Sequence, residues 1–330
     1  APGVLLGCAA ESVIGPRREV EQVAAVSLWA GRVGPVTPVR VEPPDPFTEA
    51  DPIAALAEVG ADEGIAVVVG DPFSFDAASG FDSLARRKPG LMVAGGMASA
   101  ARGPGASRLV LGDRVYSDGA VAAVLGSGAR ARTLVSQGCR PIGSPWAVTR
   151  SEGSIIYELA GQPALDRLMH IVEQDLSSAE LAVINRGGLH LGVVVDEHRA
   201  EFGPGDFLVR SVRGADRSNG AMAVAAEVEV GTTVQFHLQD AAAADEDLRA
   251  TLAGHQASSA LIFSCNGRGT RLFRVADHDA DVVADALGEI PAAGFMAAGE
   301  FGPVGGRNHV HGLSASLLLL GATGVAADAS

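Results

Sequence analysis

Cysteine, basic residues and long apolar runs are all scarce in this sequence, and each shortage excludes a class of protein. The three cysteines, Cys8, Cys139 and Cys265, are far apart and odd in number, which argues against a disulfide framework and a zinc site. The 25 basic residues are outnumbered by 39 acidic ones, for a formal charge of -14, so neither nucleic acid nor an anionic membrane is an expected partner. No apolar run reaches the roughly 20 residues that span a bilayer. We therefore expect a cytoplasmic protein without a metal or other cofactor.

What the sequence has in quantity is material for a well-packed interior. Hydrophobic residues make up 47% and charged residues 19% of the 330 residues, and a chain of this length usually forms two domains. Its 42 glycines indicate many tight turns between strands. These features predict an α/β fold of α+β character, with two domains in which mixed β-sheets are flanked by helices.

A short pattern, GxxAxxxxGP, occurs three times. Its copies cover residues 7–16, 95–104 and 294–303. Before the second and third copies lie an apolar strand and a helix-like stretch, and after each comes another apolar strand. The strands before the copies are at 66–69 and 260–263, and the helices are at 81–87 and 279–287. The repeated unit is thus strand, helix, strand, Gly-Pro loop and strand.

The first copy lacks the front half of this unit. Because residues 4–7 match the strand that enters the pattern, we expect a strand and a helix upstream of it in the natural protein. Residues 162–173 and 240–252 have the periodicity of helices, and turn residues with short apolar runs indicate hairpins between them. We expect one domain over residues 1–185, with its front truncated, a second over 186–321, and a disordered tail at 322–330.

Several segments resemble the FIST family (F-box and intracellular signal transduction proteins) over nearly the whole chain. The most specific are Ser264–Gly269, which reads SCNGRG, and Gly294–Pro303, which reads GFMAAGEFGP. Weaker matches are at residues 7–11 and 138–143, and at Asn308 and His311-Gly312. The resemblance implies an N-terminal and a C-terminal FIST domain that sense a small ligand, such as an amino acid, and pass the signal to a protein partner.

The CNGRG segment is the first candidate ligand site, because it follows an apolar strand and loops at strand carboxyl ends bind ligands in α/β sheets. Gly267 and Gly269 would let Cys265 and Asn266 present backbone N–H groups, and Arg268 could bind a carboxylate through two hydrogen bonds. The alternative is a tight turn with a surface arginine.

The second candidate is the glycine-rich stretch that carries Glu300, Arg307 and Asn308. If it lies beside the CNGRG loop, Arg268 or Arg307 could hold the carboxylate of an amino acid while Glu300 accepts its ammonium group. The alternative is an internal salt bridge between Glu300 and one of these arginines.

Two other functions remain open from the sequence. Cys265 could be the nucleophile of a thiol-dependent enzyme, with His309 or His311 as its base, although a cysteine beside glycine is more often a small packing residue. The protein could also be an interaction scaffold. We favour a non-catalytic sensor of an amino acid or small carboxylate, with a pocket lined by the third repeated unit.

Overall fold

The computed structural model describes residues 3–44, 51, 53–60, 63–199, 201–203 and 205–324. The chain divides into two compact units. Unit 1 is built from two stretches, up to Ser136 and from Asp245 onward, and unit 2 covers Gln137–Ala244. The domain boundary between residues 185 and 186 stays a prediction.

Two of the helices in the described residues begin where the sequence supplies a capping side chain. The Asp76 side chain accepts a hydrogen bond from the backbone of Ser79 at one start, and Ser177 and Glu180 form a capping box at another. The helices predicted at 162–173 and 240–252 are confirmed. The helices are α1 (Ala54–Ala57), α2 (Ala77–Arg87), α3 (Ala164–Gln174), α4 (Ser178–Asn185), α5 (Ala241–Leu252), α6 (Gly269–Phe273) and α7 (His278–Leu287). None of them is long and apolar enough to cross a membrane.

Strands account for most of the remaining regular structure. In chain order they are β1 (Leu6–Cys8), β2 (Ser12–Gly15), β3 (Arg18–Glu21), β4 (Val36–Val41), β5 (Glu63–Gly70), β6 (Met92–Met97), β7 (Leu109–Leu111), β8 (Arg114–Tyr116), β9 (Ala120–Gly126), β10 (Arg132–Ser136), β11 (Cys139–Glu152), β12 (Ile155–Leu159), β13 (Gln162–Pro163), β14 (Leu189–Val194), β15 (Phe207–Asp216), β16 (Ala221–Val224), β17 (Thr233–Gln239), β18 (His255–Gln256), β19 (Ser259–Cys265), β20 (Ala292–Ala297), β21 (Glu300–Val304), β22 (Arg307–His311), β23 (Ala315–Leu320) and β24 (Thr323–Gly324).

Unit 1 contains two six-stranded mixed sheets of matching order. The β5 sheet runs β4-β9-β5-β6-β21-β22, and the β19 sheet runs β10-β23-β19-β20-β2-β3, so that β5 corresponds to β19 and β6 to β20. In each, the first strand of the repeated unit pairs in parallel with the second, β5 with β6 and β19 with β20. A helix joins the two parallel strands, as a crossover requires. The predicted α/β order with mixed sheets is therefore confirmed.

Each of these sheets has a helix over one face. Phe81 and Leu84 of α2 pack with Val68 and Val93 of the β5 sheet, and all four side chains are buried. On the β19 sheet, Val283 of α7 belongs to a similar buried cluster. The buried apolar positions on both helices follow the spacing of one helical face.

The hairpin in or directly after each GxxAxxxxGP copy pairs with the strand that enters a different copy. Hairpin β2–β3 adds to β20, hairpin β21–β22 adds to β6, and hairpin β7–β8 adds to β1. The three exchanges form a closed cycle, first copy to third, third to second, and second to first. A three-stranded sheet, β1-β7-β8, results from the last exchange.

The third Gly-Pro pair departs from the predicted loop, because Gly302 and Pro303 lie inside β21. Strand β21 pairs with β6 only at Glu300 and Phe301. Beyond these residues it pairs with β22 alone, so the missing N–H of Pro303 costs no hydrogen bond to β6.

Unit 2 is a seven-stranded sheet of order β11-β17-β14-β15-β16-β12-β13. One face packs under α3 and α4, with Leu168, Ile171, Leu191 and Phe236 in its core. This arrangement matches the hairpins predicted from the turn residues on both sides of α3.

A pair of histidines on neighbouring strands of unit 2 makes a testable prediction. His190 and His237 are directly opposite each other on β14 and β17, and both are buried. Burial lowers the pKa of each to about 4. Since the unfolded histidines bind protons below about pH 6.5, stability should fall between pH 6.5 and 4. At pH 5 we expect a loss of about 2 kcal/mol per histidine, measured by urea unfolding.

His237→Gln should reduce this loss of stability at pH 5, and the same change at exposed His198 should not. An equal loss in the parent and both variants would contradict the assignment.

Part of the tail predicted to be disordered falls in the described residues. Thr323–Gly324 form β24, which pairs with β18. Residues 325–330 lie outside the described residues.

Candidate functional site

The eight residues predicted to bind a ligand fall into two groups. Cys265 ends β19, Asn266 and Gly267 form a turn, Arg268 is the N-cap residue of α6, and Gly269 is the first residue of that helix. Glu300 begins β21 and comes close enough to Cys265 and Arg268 to influence their ionisation. Arg307 and Asn308, on β22, have other neighbours.

Asn308 and Arg307 are occupied within unit 1. The buried Asn308 amide donates to the carbonyl of Leu91 and accepts from the backbone N–H of Val93, both at 2.8 Å, so it ties β22 to the start of β6. Arg307 is exposed and pairs with Asp82 at 3.6 Å. Neither contact is one that the sequence predicted.

The turn after β19 requires its glycines. A side chain at Gly267 would lie 2.8 Å from Leu313 Cδ2, and one at Gly269 would lie 2.8 Å from Glu21 Oε1. Gly269 also has φ +57, which favours glycine. Glu21 accepts hydrogen bonds from the backbone and hydroxyl of Thr270, so the first copy of the pattern holds this turn in place.

Arg268 has a different partner from the expected ones. Its side chain is fully buried, and its Nε and Nη2 each donate to a separate oxygen of Asp279 at 2.8 Å. Burial opposes ionisation of Asp279, but the guanidinium outweighs it and holds the pKa of Asp279 below its usual range. The two charges compensate each other, so this guanidinium is already paired within the protein. Its role of holding a ligand carboxylate stays a prediction.

The partner of Arg268 was missed because nothing near it in sequence marks Asp279 as a buried acid. Asp279 lies in the first turn of α7, where acidic residues are common on exposed helices. The hydroxyl of Ser264 and the ring of His278 also contact its carboxylate. Only the spacing of Ser264, Arg268 and Asp279 around one predicted strand end could have suggested the cluster.

Glu300 is enclosed at the carboxyl end of β19. Its Oε2 accepts hydrogen bonds from the backbone N–H and the hydroxyl of Ser314, at 3.2 and 2.9 Å. Its Oε1 is buried and accepts no hydrogen bond of ordinary length from the described residues, and the Cys265 thiol is the neighbouring donor to this carboxyl. Burial raises the pKa of Glu300 to about 8, so the group carries a proton at neutral pH.

Cys265 lies beside this carboxyl. Burial, and next the charge of Glu300, raise the pKa of the thiol above its ordinary value. The backbone N–H of Gly267 points at its Sγ, 3.4 Å away. Of the histidines considered as a base, His311 has its Nε2 3.0 Å from the carbonyl of Gly302.

Comparison with known proteins identifies the family. Residues 2–162 match the FIST N domain and residues 164–303 match the FIST C domain. The chain belongs to the FIST family. Among its relatives, uncharacterized protein MT0656 of Mycobacterium tuberculosis is 42% identical over 329 residues, which cover 96% of this chain and 84% of the relative. Uncharacterized protein Mb0898c of Mycobacterium bovis is 41% identical over 328 residues, covering 96% of this chain and 83% of its own length. FIST domains are associated with signal transduction.

Glu19 is another buried acid of this FIST chain, and the sequence does not predict its contacts. Glu19, on β3, accepts hydrogen bonds from the backbone of Asp279 and Ala280 at the start of α7. Burial and the neighbouring Asp279 raise the pKa of Glu19 to about 7. Glu19 reaches α7 only because hairpin β2–β3 is exchanged onto β20, and that exchange has no sequence signature.

One strained residue lies against the turn after β19. Leu313 has φ +60, a left-handed conformation that is unfavourable for leucine. Its side chain lies against Gly267, and its carbonyl is 3.4 Å from Arg268 Nη1. Leu313 thus adjoins both the turn and the buried arginine. In the described residues no cluster of three or more His, Cys, Asp and Glu side chains could hold a metal ion.

Proposed function

We propose that this FIST chain is a cytoplasmic, non-catalytic sensor that binds a small amine, such as an amino acid, at Glu300 and passes the signal to a protein partner. The observation that carries the proposal is the unpartnered Oε1 of Glu300. A buried acceptor without a hydrogen bond is costly to keep, so each one needs an explanation, and a donor on a bound ligand would supply it here. That all eight residues bind the ligand stays a prediction.

The contacts of Arg268 narrow the ligand class. Because its guanidinium is paired with Asp279, we do not assign it to a ligand carboxylate. An ammonium group would donate to Oε1, and its positive charge would compensate the carboxylate once Glu300 has released its proton. Binding a cation would favour the ionised carboxylate, so it should release a proton at neutral pH, and affinity should increase up to about pH 8.

The proposal assigns Cys265 a packing role. A nucleophilic cysteine needs a low pKa, whereas burial and Glu300 raise the pKa of this thiol. The three free cysteines fit a reducing cytoplasm.

Thermal-shift measurements with amino acids, primary amines and the matching carboxylates without the amine test the proposal. Amines should raise the melting temperature, and a ligand at 100 times its Kd should stabilise the protein by about 2.7 kcal/mol. The carboxylates should give no shift. Glu300→Gln should abolish the amine effect, because the amide cannot ionise.

The matched control is Glu173→Gln, at an exposed glutamate of α3, which should respond to amines as the parent does. Stabilisation by carboxylates alone, or an unchanged amine effect in Glu300→Gln, would contradict the proposal. Rapid alkylation of Cys265 by iodoacetamide at pH 7 would instead favour the thiol enzyme.

A further inference from the structure

The three-stranded sheet around β1 is incomplete when it is compared with the other two sheets of unit 1. Strands β1, β6 and β20 lead into the three copies of the GxxAxxxxGP pattern, and each accepts an exchanged hairpin along one edge. Along the other edge, β6 pairs in parallel with β5, and β20 with β19. Within the described residues, no strand pairs with that edge of β1.

Residues 26–30 correspond to β9 and β23, the last strands of the other two units. The hydroxyl of Ser27 donates to the carbonyl of Ile14 at 2.5 Å, and that of Ser316, in β23, donates to Phe301 at 2.6 Å. Ile14 and Phe301 occupy the same position in the pattern. Trp29, two residues after Ser27, packs into the same apolar cluster as Leu318, two residues after Ser316. Yet residues 24–30 form neither strand nor helix.

The side chains that face away from this cluster are apolar and uncovered. Val26 is 91% exposed, Leu28 is 74% exposed and Leu5, just before β1, is 42% exposed. The register places Ala120, Ala122 and Val93 of the β5 sheet, and Ala315, Leu317 and Ala292 of the β19 sheet, at the same three positions, and their exposure is between 0% and 9%. In those sheets α2 and α7 cover the corresponding face. Exposed apolar side chains whose counterparts are covered in both other sheets indicate an interaction site.

We propose that β1 and residues 26–30 form a docking site for one further strand and the helix that follows it. The strand lies between them, parallel to β1, and has small and β-branched residues, as in β5 and β19. The helix is amphipathic, and its apolar face covers Leu5, Val26 and Leu28. Together they complete a third sheet of the order seen in the other two.

The occupant comes from the same polypeptide, joined ahead of β1. In both complete sheets, the helix leads directly into the strand that corresponds to β1, through α2 into β6 and through α7 into β20. The relatives also have chain beyond the match, which covers 84% and 83% of their lengths. A second copy of this chain, whose β5 and β19 are already paired on both edges, has no such strand to offer.

An extended chain tests the site. A second copy of residues 63–91, which lead into β6, is placed ahead of Val4, the residue that corresponds to Met92. Replacing Trp146, one of the two tryptophans, by Phe leaves Trp29 as the reporter. The extension should shift Trp29 emission to shorter wavelength, raise the melting temperature, and slow amide exchange in residues 6–8 and 26–30 by about tenfold or more.

The control carries Val67→Asp and Val69→Asp in the copied strand only, and it should behave like the unextended chain. A synthetic peptide of residues 63–70, added to the unextended chain, gives a second measurement that does not depend on the extension folding. It should shift Trp29 emission saturably, whereas a peptide with Val67→Pro should not, because proline cannot pair in a central strand.

Two results would overturn the proposal. One is the absence of an emission shift and of amide protection with both the extension and the peptide. The other is concentration-dependent dimerisation of the unextended chain that is lost in Val26→Asp, since it would make a second copy the occupant.

Discussion

Arg268→Met is expected to lower the free energy of unfolding by about 3–5 kcal/mol, the usual cost of removing one partner from a buried ion pair. The substitution leaves the Asp279 carboxylate fully buried without its guanidinium. A carboxylate in that environment must either remain charged at high cost or take up a proton. Urea unfolding at pH 7, followed by circular dichroism, measures the loss.

Arg271→Met is the matched control. Arg271 lies three residues away and pairs with Glu11, but its side chain is 57% exposed, so its loss should cost no more than about 1 kcal/mol. The double variant Arg268→Met/Asp279→Leu should recover most of the stability, because replacing both members of a buried pair removes the uncompensated charge. A single variant as stable as the parent would show that the pair is not buried in solution.

Glu300→Gln is expected to stabilise the ligand-free protein, and to do so increasingly as the pH rises. In the folded state burial raises the pKa of Glu300 to about 8, whereas an unfolded glutamate ionises near pH 4.3. The stability that Glu300 contributes is therefore fully present below about pH 4 and is lost as the pH rises towards 8. Glutamine does not titrate, so the difference between variant and parent should grow by about 3 kcal/mol between pH 5 and pH 8.

Urea unfolding of both proteins at pH 5, 6.5 and 8 measures this difference. Glu173→Gln should give curves parallel to those of the parent. If Glu300→Gln destabilised the protein equally at all three values, the carboxyl would be ionised throughout and the protonated site would be wrong. Together with the loss of amine binding proposed above, stabilisation would show that Glu300 is kept at the expense of stability.

Local pattern was sufficient for much of the fold. The apolar runs at 66–69 and 260–263 lie within β5 and β19, and the stretches at 81–87 and 279–287 lie within α2 and α7, because each is specified by neighbouring residues. The exchange of hairpins could not be predicted, since a hairpin carries no record of the strand to which it will add. Pro303 shows the same difficulty, because the edge that tolerates it exists only after β21 has joined β6.

The sequence predicted where the candidate site lies but not which side chains pair within it. Glycines around Cys265 and Arg268 identified a turn at a strand end, and the structure brings Glu300 to it. The ionic partners were not predictable. Asp279 reaches Arg268, and Glu19 reaches α7, through tertiary contacts, and aspartate and glutamate are residue types that mostly lie on the surface. Arg268, Asp279, Glu19 and Glu300 come together only when β3, β21, α6 and α7 have assembled in unit 1.

The closed cycle of hairpins also determines when unit 1 can finish folding during synthesis. Four strands of the β5 sheet come from residues 36–126, but β21 and β22 reach it only once residue 311 has left the ribosome. Until then the edge of β6 remains open and able to pair with other strands. Unit 1 should therefore acquire its native structure late and in a single step, and nascent chains that end before residue 300 should depend on chaperones to remain soluble.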